Sequence, residues 1–236
     1  MFVIKPFVDE ILPSKLNFYR TLTQNTPEWE TARKDFFLGA SETGAAMGID
    51  KHTSRMGLWK RKMGYAIPRD DPLREEILQW GRDHESDAAE EFQTIFSDRD
   101  CEIYTTGIWP YMDDLRLGGS PDRIVKMKKK KPCLLEIKCP HSKKIPEEIP
   151  PYHLTQMVSL MKYCDMPLCY YYVWTPNASC VWKVKKNDRM FNELIYPLCR
   201  EFMDEYILSD KCPPRMPPGR KQILKDEIMS YHYNNK

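Results

Sequence analysis

Apolar and polar positions repeat with a period near 3.6 in some stretches of the chain and with a period of two in others, and the two periods divide it into predicted helices and strands. The longest helical stretch runs from about Asp71 to Phe96, where Leu78, Gly81, Ala88, Phe92 and Phe96 recur three and four residues apart and so share a face. Glu85 falls on the same stripe. An acid in that position is rarely buried alone, so it reaches solvent at a cleft or faces a charged site. Three shorter helices precede it. "TPEWETARKDFF" carries Thr26 as N-cap and Pro27 at the first helical position, "GASETGAAMG" offers Ser41 as an N-cap, and "SRMGLWKRKMG" is the third.

Strand-like runs follow in "CEIYTTGIW", "LRLGGSPDRIVKM" and "CLLEIKC", separated by turn or charge signals and consistent with an antiparallel meander. After Pro146, Pro150 and Pro151 a helix is predicted over Tyr152 to Cys164. A hairpin then turns at Pro176 and Asn177, and a closing helix is kinked at Pro197. Residues 1–26 show no sustained period and read as an N-terminal arm, 27–208 as one domain, and 209–236, rich in proline and lysine, as a tail. Helices, then strands, then helix and strands predict an α/β fold with a mixed β-sheet flanked by helices. A dinucleotide-binding fold is not indicated, because no glycine-rich fingerprint follows a strand.

Composition narrows the choices only a little. A length of 236 residues suffices for one sizeable core, and 42% hydrophobic with 12% aromatic residues excludes a disordered chain. The net charge of +2 is too small to argue for a nucleic-acid partner, which must be sought in local clusters. Eight cysteines without a C-x-x-C pair speak against structural zinc and for free thiols. With no secretory h-region and no run of 18 apolar residues, a soluble, intracellular protein without membrane contact is expected. "GASETG" does not complete a nucleophile elbow, and the aromatic run "YYYVW" reads as a buried strand before a base-stacking platform.

Chemistry concentrates in "GGSPDRIVKMKKKKPCLLEIKCP". Alternation in "LLEIK" puts Leu134, Glu136 and Lys138 on one face and Leu135 and Ile137 on the other. An isolated E-x-K is most often an ion pair on an exposed strand. Here "SPDRIV" delivers Asp122 at a hairpin-compatible separation, so two carboxylates and a lysine can converge. Crowded carboxylates repel unless a cation lies between them, and hard oxygen donors suit Mg²⁺ or Mn²⁺.

The S-P-D and L-E-I-K-C-P pair resembles the PD-(D/E)XK nuclease pattern, and more narrowly the lambda exonuclease and YqaJ-like viral recombinase family. "EWETARKDFFLGASETG", "LQWGRDHESDAAEEF" and "HLTQMVSLMKY" resemble further motifs of that family in the same order, over roughly Trp29 to Trp174. The resemblance implies a restriction-endonuclease-like core. It makes Asp122, Glu136 and the Ile137 carbonyl metal ligands, with Glu85 reaching the metals. Lys138 becomes the residue that orients the attacking water, Gln156 the buttress of the site, and Arg33, Ser41 and Ser120 contacts to the phosphate of a bound end. Arg33 and Ser41 stand eight apart, one more than in the lambda enzyme.

The implied activity is Mg²⁺-dependent degradation of linear duplex DNA from its ends, 5′ to 3′, leaving 3′ single strands for annealing-type recombination with a single-strand annealing protein. An endonuclease of the same superfamily and an inactive DNA-binding or packaging protein are the alternatives. Homotrimer and monomer both stay open, and a viral origin would put the protein in the cytoplasm or nucleus of an infected host cell. Between Lys126 and Lys144 there are eight lysines and one acid, and Lys128, Lys129, Lys130 and Lys131 are expected to form a hairpin tip that binds the DNA backbone near the site.

Overall fold

In the computed structural model, which describes residues 5–6, 14–66 and 71–235, the strand-like runs sort into two sheets. The chain begins with β1 (Lys5–Pro6), α1 (Ser14–Thr21), α2 (Pro27–Ala32), β2 (Leu38–Gly39), α3 (Thr43–Ala46), α4 (Arg55–Lys62) and the long α5 (Pro72–Ile95). Then come β3 (Glu102–Thr105), β4 (Trp109–Pro110), β5 (Leu117–Gly119), β6 (Arg123–Lys126) and β7 (Cys133–Lys138). After α6 (Pro151–Tyr163), β8 (Leu168–Thr175) and β9 (Ala178–Lys185) form the hairpin turning at Pro176 and Asn177. The helices α7 (Asp188–Met190), α8 (Tyr196–Phe202) and α9 (Pro218–Tyr233) close the fold.

The larger sheet has the order β1-β3-β6-β7-β8-β9. Its β3–β6, β6–β7 and β8–β9 pairs are antiparallel, and β7–β8 is parallel because α6 carries the chain back across one face. A mixed sheet between helices is therefore the α/β architecture of a restriction-endonuclease-like core. Alternation decides the two faces. Leu134, Cys169, Tyr171 and Val173 enter the core beneath α6, while Val125, Leu135, Ile137, Tyr170 and Tyr172 pack with Ala88, Ala89 and Phe92 of α5. The aromatic run thus lies in a central, fully buried strand.

A simple meander does not form. The first strand-like run splits into β3 and β4 and the second into β5 and β6, and β2, β5 and β4 make a separate three-stranded sheet. The break in the first run is Gly107, whose N–H donates to the Arg20 carbonyl at 2.8 Å while Ile108 donates to Tyr19 at 2.8 Å. A Cβ on Gly107 would lie 2.2 Å from the Tyr19 carbonyl oxygen and 2.7 Å from that of Leu22. Both obstacles are backbone, which cannot swing aside. Gly107→Ala is expected to cost about 1–3 kcal/mol in urea unfolding by overpacking, and an unchanged midpoint would contradict this close approach.

Those contacts also revise the expected arm. Its second half is α1 and the following turn, with Tyr19 and Arg20 buried; residues 1–4 and 7–13 lie outside the described residues. The expected tail is likewise part of the fold: α9 buries Leu224 and Ile228 in the α6-side core, and Asn187 Nδ2 donates to the Tyr231 carbonyl at 3.1 Å. Neither segment shows a long sequence period because each contributes only two or so core residues. Pro197, expected to kink the closing helix, follows a π turn over Phe191–Ile195, where the helix widens next to the residue that lacks an N–H.

Candidate active site

The site forms where the β6–β7 pairing stops. β6 pairs with β7 from Val125 opposite Cys133 to Arg123 opposite Leu135, whereas β7 continues alongside β8 to Lys138. The β6-facing edge of β7 is therefore open beyond Leu135. Asp122 fills part of it, its Oδ2 accepting from the Ile137 N–H at 2.6 Å. A strand residue points its N–H and C=O the same way, so the Ile137 carbonyl faces that same opening.

Glu136 and Lys138 emerge on the α6 face. Glu136 is 1% exposed, and its Oε1 accepts from Lys138 Nζ at 2.5 Å and from Gln156 Nε2 of α6 at 2.5 Å. Its Oε2 is buried without a hydrogen-bond partner. Burial and the neighbouring Asp122 charge hold the Glu136 carboxyl well above the usual carboxylate range. Burial alone would depress the Lys138 ammonium, but the Glu136 and Asp122 carboxylates outweigh it and keep the lysine charged. An orphaned carboxylate oxygen beside a second carboxylate and an open-edge carbonyl fits a hard divalent cation held by Asp122, Glu136 and Ile137.

Glu85 arrives differently. It comes from α5 on the opposite face, where its Oε1 accepts from Arg123 Nη1 at 2.6 Å, and the same Nη1 donates to the Asp122 carbonyl at 2.6 Å. Burial and then the Asp122 charge raise the Glu85 carboxyl, with Arg123 opposing both. Glu85 is thus tied to the site through Arg123, and among the described residues no three His, Cys, Asp or Glu side chains converge tightly enough to hold a metal. Sequence reading passed over Arg123, although an arginine inside "DRIV" must be buried and so needs an acid.

The residues expected to bind a DNA end come together only in part. Trp29 Nε1 donates to Ser120 Oγ at 3.0 Å, and the Arg33 guanidinium stacks 4.4 Å above the Trp29 ring. Parallel pairing of Gly39 with Gly118 brings the turn after β2 beside the strand that leads to Ser120. Ser41 is exposed there and is not the N-cap expected: Gly39 caps the short turn Ala40–Glu42, and Glu42 at the third position of that turn reaches back, its Oε2 accepting from the Gly39 N–H at 2.8 Å. Lys128–Lys131 do form the hairpin tip, but at the far end of β6 and β7. Lys131 and Glu136 are five positions apart along the chain, about 16 Å at ~3.3 Å per residue. Lys128 also pairs with Asp100 at 2.9 Å.

His153 was another residue passed over. It lies one turn before Gln156 on α6, its Nδ1 2.7 Å from the Tyr171 hydroxyl, and burial followed by the Lys138 charge lowers it from the ordinary 6.5 to about 2. A histidine that stays neutral when folded contributes stability above pH 6.5 that is lost as the pH falls below it, because the unfolded chain then takes up the proton. The fall is expected to reach up to about 1.4 kcal/mol per pH unit. Urea melts between pH 5 and 7 should show it, and His153→Gln should flatten it.

With this geometry established, the family model for the YqaJ-like viral recombinase domain matches residues 28–166. The chain belongs to that family. The matched YqaJ-like region runs from α2 through the carboxylate-bearing hairpin and α6, and so contains Arg33, Ser41, Glu85, Ser120, Asp122, Glu136, Lys138 and Gln156. Among solved structures, an alkaline exonuclease, LHK-Exo from Laribacter hongkongensis, is similar at 18% identity and a TM-score of 0.59, covering 87% of this chain and 99% of that one. The same enzyme in complex with dAMP is similar at 19% identity and a TM-score of 0.60, with the same coverage. These likenesses show that the YqaJ-like domain here shares the alkaline exonuclease fold. No curated protein matches the chain. No helix among the described residues is long and apolar enough to cross a membrane.

Proposed function

We propose that this protein is a Mg²⁺-dependent deoxyribonuclease that degrades linear duplex DNA from its ends, 5′ to 3′, leaving 3′ single strands for annealing-type recombination. The observation that carries the reading is the buried, partnerless Glu136 Oε2 beside Asp122 and Lys138. Membership of the YqaJ-like family and the alkaline exonuclease fold support it, as does the naming of the similar structures as exonucleases.

Asp122, Glu136 and the Ile137 carbonyl would hold Mg²⁺, with Mn²⁺ able to replace it, and the cation would supply Lewis-acid stabilisation of the phosphate and an acidified water. Gln156 holds the Glu136 carboxylate in one rotamer. Lys138, fixed by Glu136, orients the attacking water and offsets charge that develops on the phosphate. Arg33, with Trp29 and Ser120 behind it, receives a terminal phosphate. Lys128–Lys131 would meet the duplex backbone some distance from the cut and add salt-dependent affinity. A single-strand annealing protein that takes up the 3′ strand would complete the reaction sequence.

The test compares end-labelled linear duplex with closed circular duplex, each with and without Mg²⁺. Progressive release of the 5′ label from the linear substrate, dependent on Mg²⁺, is the expected result. Nicking of closed circles at a similar rate would replace end-directed cleavage with an endonuclease activity.

A further inference from the structure

A polar cavity of about 180 Å³ opens on the α5 side of the carboxylates, lined by Thr23, Asn25, Arg82, Glu85, Ser86, Thr106 and Arg123 among others. Four separate segments build it, and one side chain fastens three of them together. Gln24 Nε2 donates to the Thr106 carbonyl at 3.0 Å and to the Pro121 carbonyl at 2.7 Å, which pins the Thr23–Asn25 turn to the chain leading into Asp122. The cavity wall therefore keeps a fixed position relative to the metal ligands.

Its charge is unbalanced in favour of an anion. Arg82 and Arg123 face a single acid, Glu85, which is already hydrogen-bonded to Arg123. Arg123 is 8% exposed and donates only from Nη1, to Glu85 and to the Asp122 carbonyl, while its Nε is buried without a partner. Held by Glu85 and the Asp122 carbonyl, the Arg123 guanidinium adds a fixed positive charge to the cavity wall. Arg82 is exposed and held by Gln79 Oε1 at 3.0 Å, so it can swing to a ligand for little cost. Thr23 and Ser86 also line the cavity and bring hydroxyl-bearing side chains to it, a mixture suited to phosphate oxygens.

We propose that this cavity is a second phosphate-binding subsite. It would hold a phosphate one or more linkages away from the one being cleaved and so fix the path of the strand through the site. Two sources share this chemistry: an internal linkage of the bound strand, and the phosphate of a released mononucleotide. The assignment rests on the nuclease reading for its ligand but not for its geometry.

The experiment uses duplexes carrying a single neutral methylphosphonate at successive linkages from the 5′ end, with binding measured by fluorescence anisotropy in EDTA to prevent hydrolysis. Wild-type protein should lose about tenfold in affinity at one linkage. Arg82→Ala should be insensitive at that linkage and unchanged at the others, which identifies an internal phosphate of the strand. A second arm measures displacement of the duplex by a deoxynucleoside 5′-monophosphate. Competition about tenfold weaker against Arg82→Ala, without any linkage effect, identifies the product phosphate instead and equally supports the subsite. Identical behaviour of wild type and Arg82→Ala in both arms overturns it. Hydrolysis assayed in parallel separates the two claims, since cleavage without an Arg82 effect removes only the subsite, and an Arg82 effect without cleavage removes only the nuclease.

Discussion

Asp122→Asn and Glu136→Gln are each expected to lower hydrolysis of linear duplex about 10³-fold or more, as loss of several kcal/mol of transition-state stabilisation by a cation requires. The two variants should differ in stability, and that difference tests the site independently of activity. Asp122 Oδ2 is the acceptor for the Ile137 N–H, and asparagine can keep that bond through its amide oxygen. Glu136 is buried with one unpaired carboxyl oxygen, so its amide relieves the cost of a buried charge and can still accept from Lys138, but deprives that ammonium of its counter-charge. Mg²⁺ should therefore raise the melting temperature of the wild-type protein through ligand linkage, and should fail to do so in either variant. Near-normal turnover in either variant, or an unaltered Mg²⁺ response in both, would remove these residues from the metal site.

The second large effect concerns the end itself. Duplex with 5′-phosphates should be degraded about 10- to 100-fold faster than duplex with 5′-hydroxyls, the range for charge-assisted hydrogen bonds to a phosphate dianion. Arg33→Ala should remove most of the difference. Its guanidinium is oriented by the Trp29 ring, and Trp29 is in turn anchored to Ser120, two residues before Asp122, so the proposed phosphate contact and the proposed metal ligand would be mechanically joined. Trp29→Phe, which deletes the indole donor to Ser120 and keeps the aromatic ring, should reduce the preference by less than Arg33→Ala. Ser41→Ala is expected to have the smallest effect of the three, since this exposed side chain has no capping role. Equal rates on the two ends with wild-type protein would dissolve the pocket and favour internal cleavage.

Much of this site was legible in the chain because its parts are local. The alternation in "LLEIK" alone puts Glu136 and Lys138 on one face, and a hairpin of two short strands must return Asp122 to their neighbourhood. The helix carrying Gln156 is the next element after that strand, and a parallel return to β8 requires it to cross the same sheet. The long amphipathic period from Asp71 to Phe96 likewise defined α5 to within a residue at either end.

What the tertiary structure decided are the relations between segments distant in sequence. No local period could reveal that Glu85 of α5 would be engaged by Arg123 of β6, because that pair joins residues 38 apart on two different elements. The lysine tip illustrates the same limit. Its charge is evident from the sequence, but strand direction carries it away from the carboxylates it adjoins in sequence. Residues 14–26 and α9 lacked a signal because a segment held by one or two buried side chains and a few backbone hydrogen bonds carries too few apolar positions to form a pattern. Periodicity records which face of an element is buried, and chain connectivity then places near neighbours; the partners that meet across the fold are set by packing of whole surfaces, which no single segment encodes.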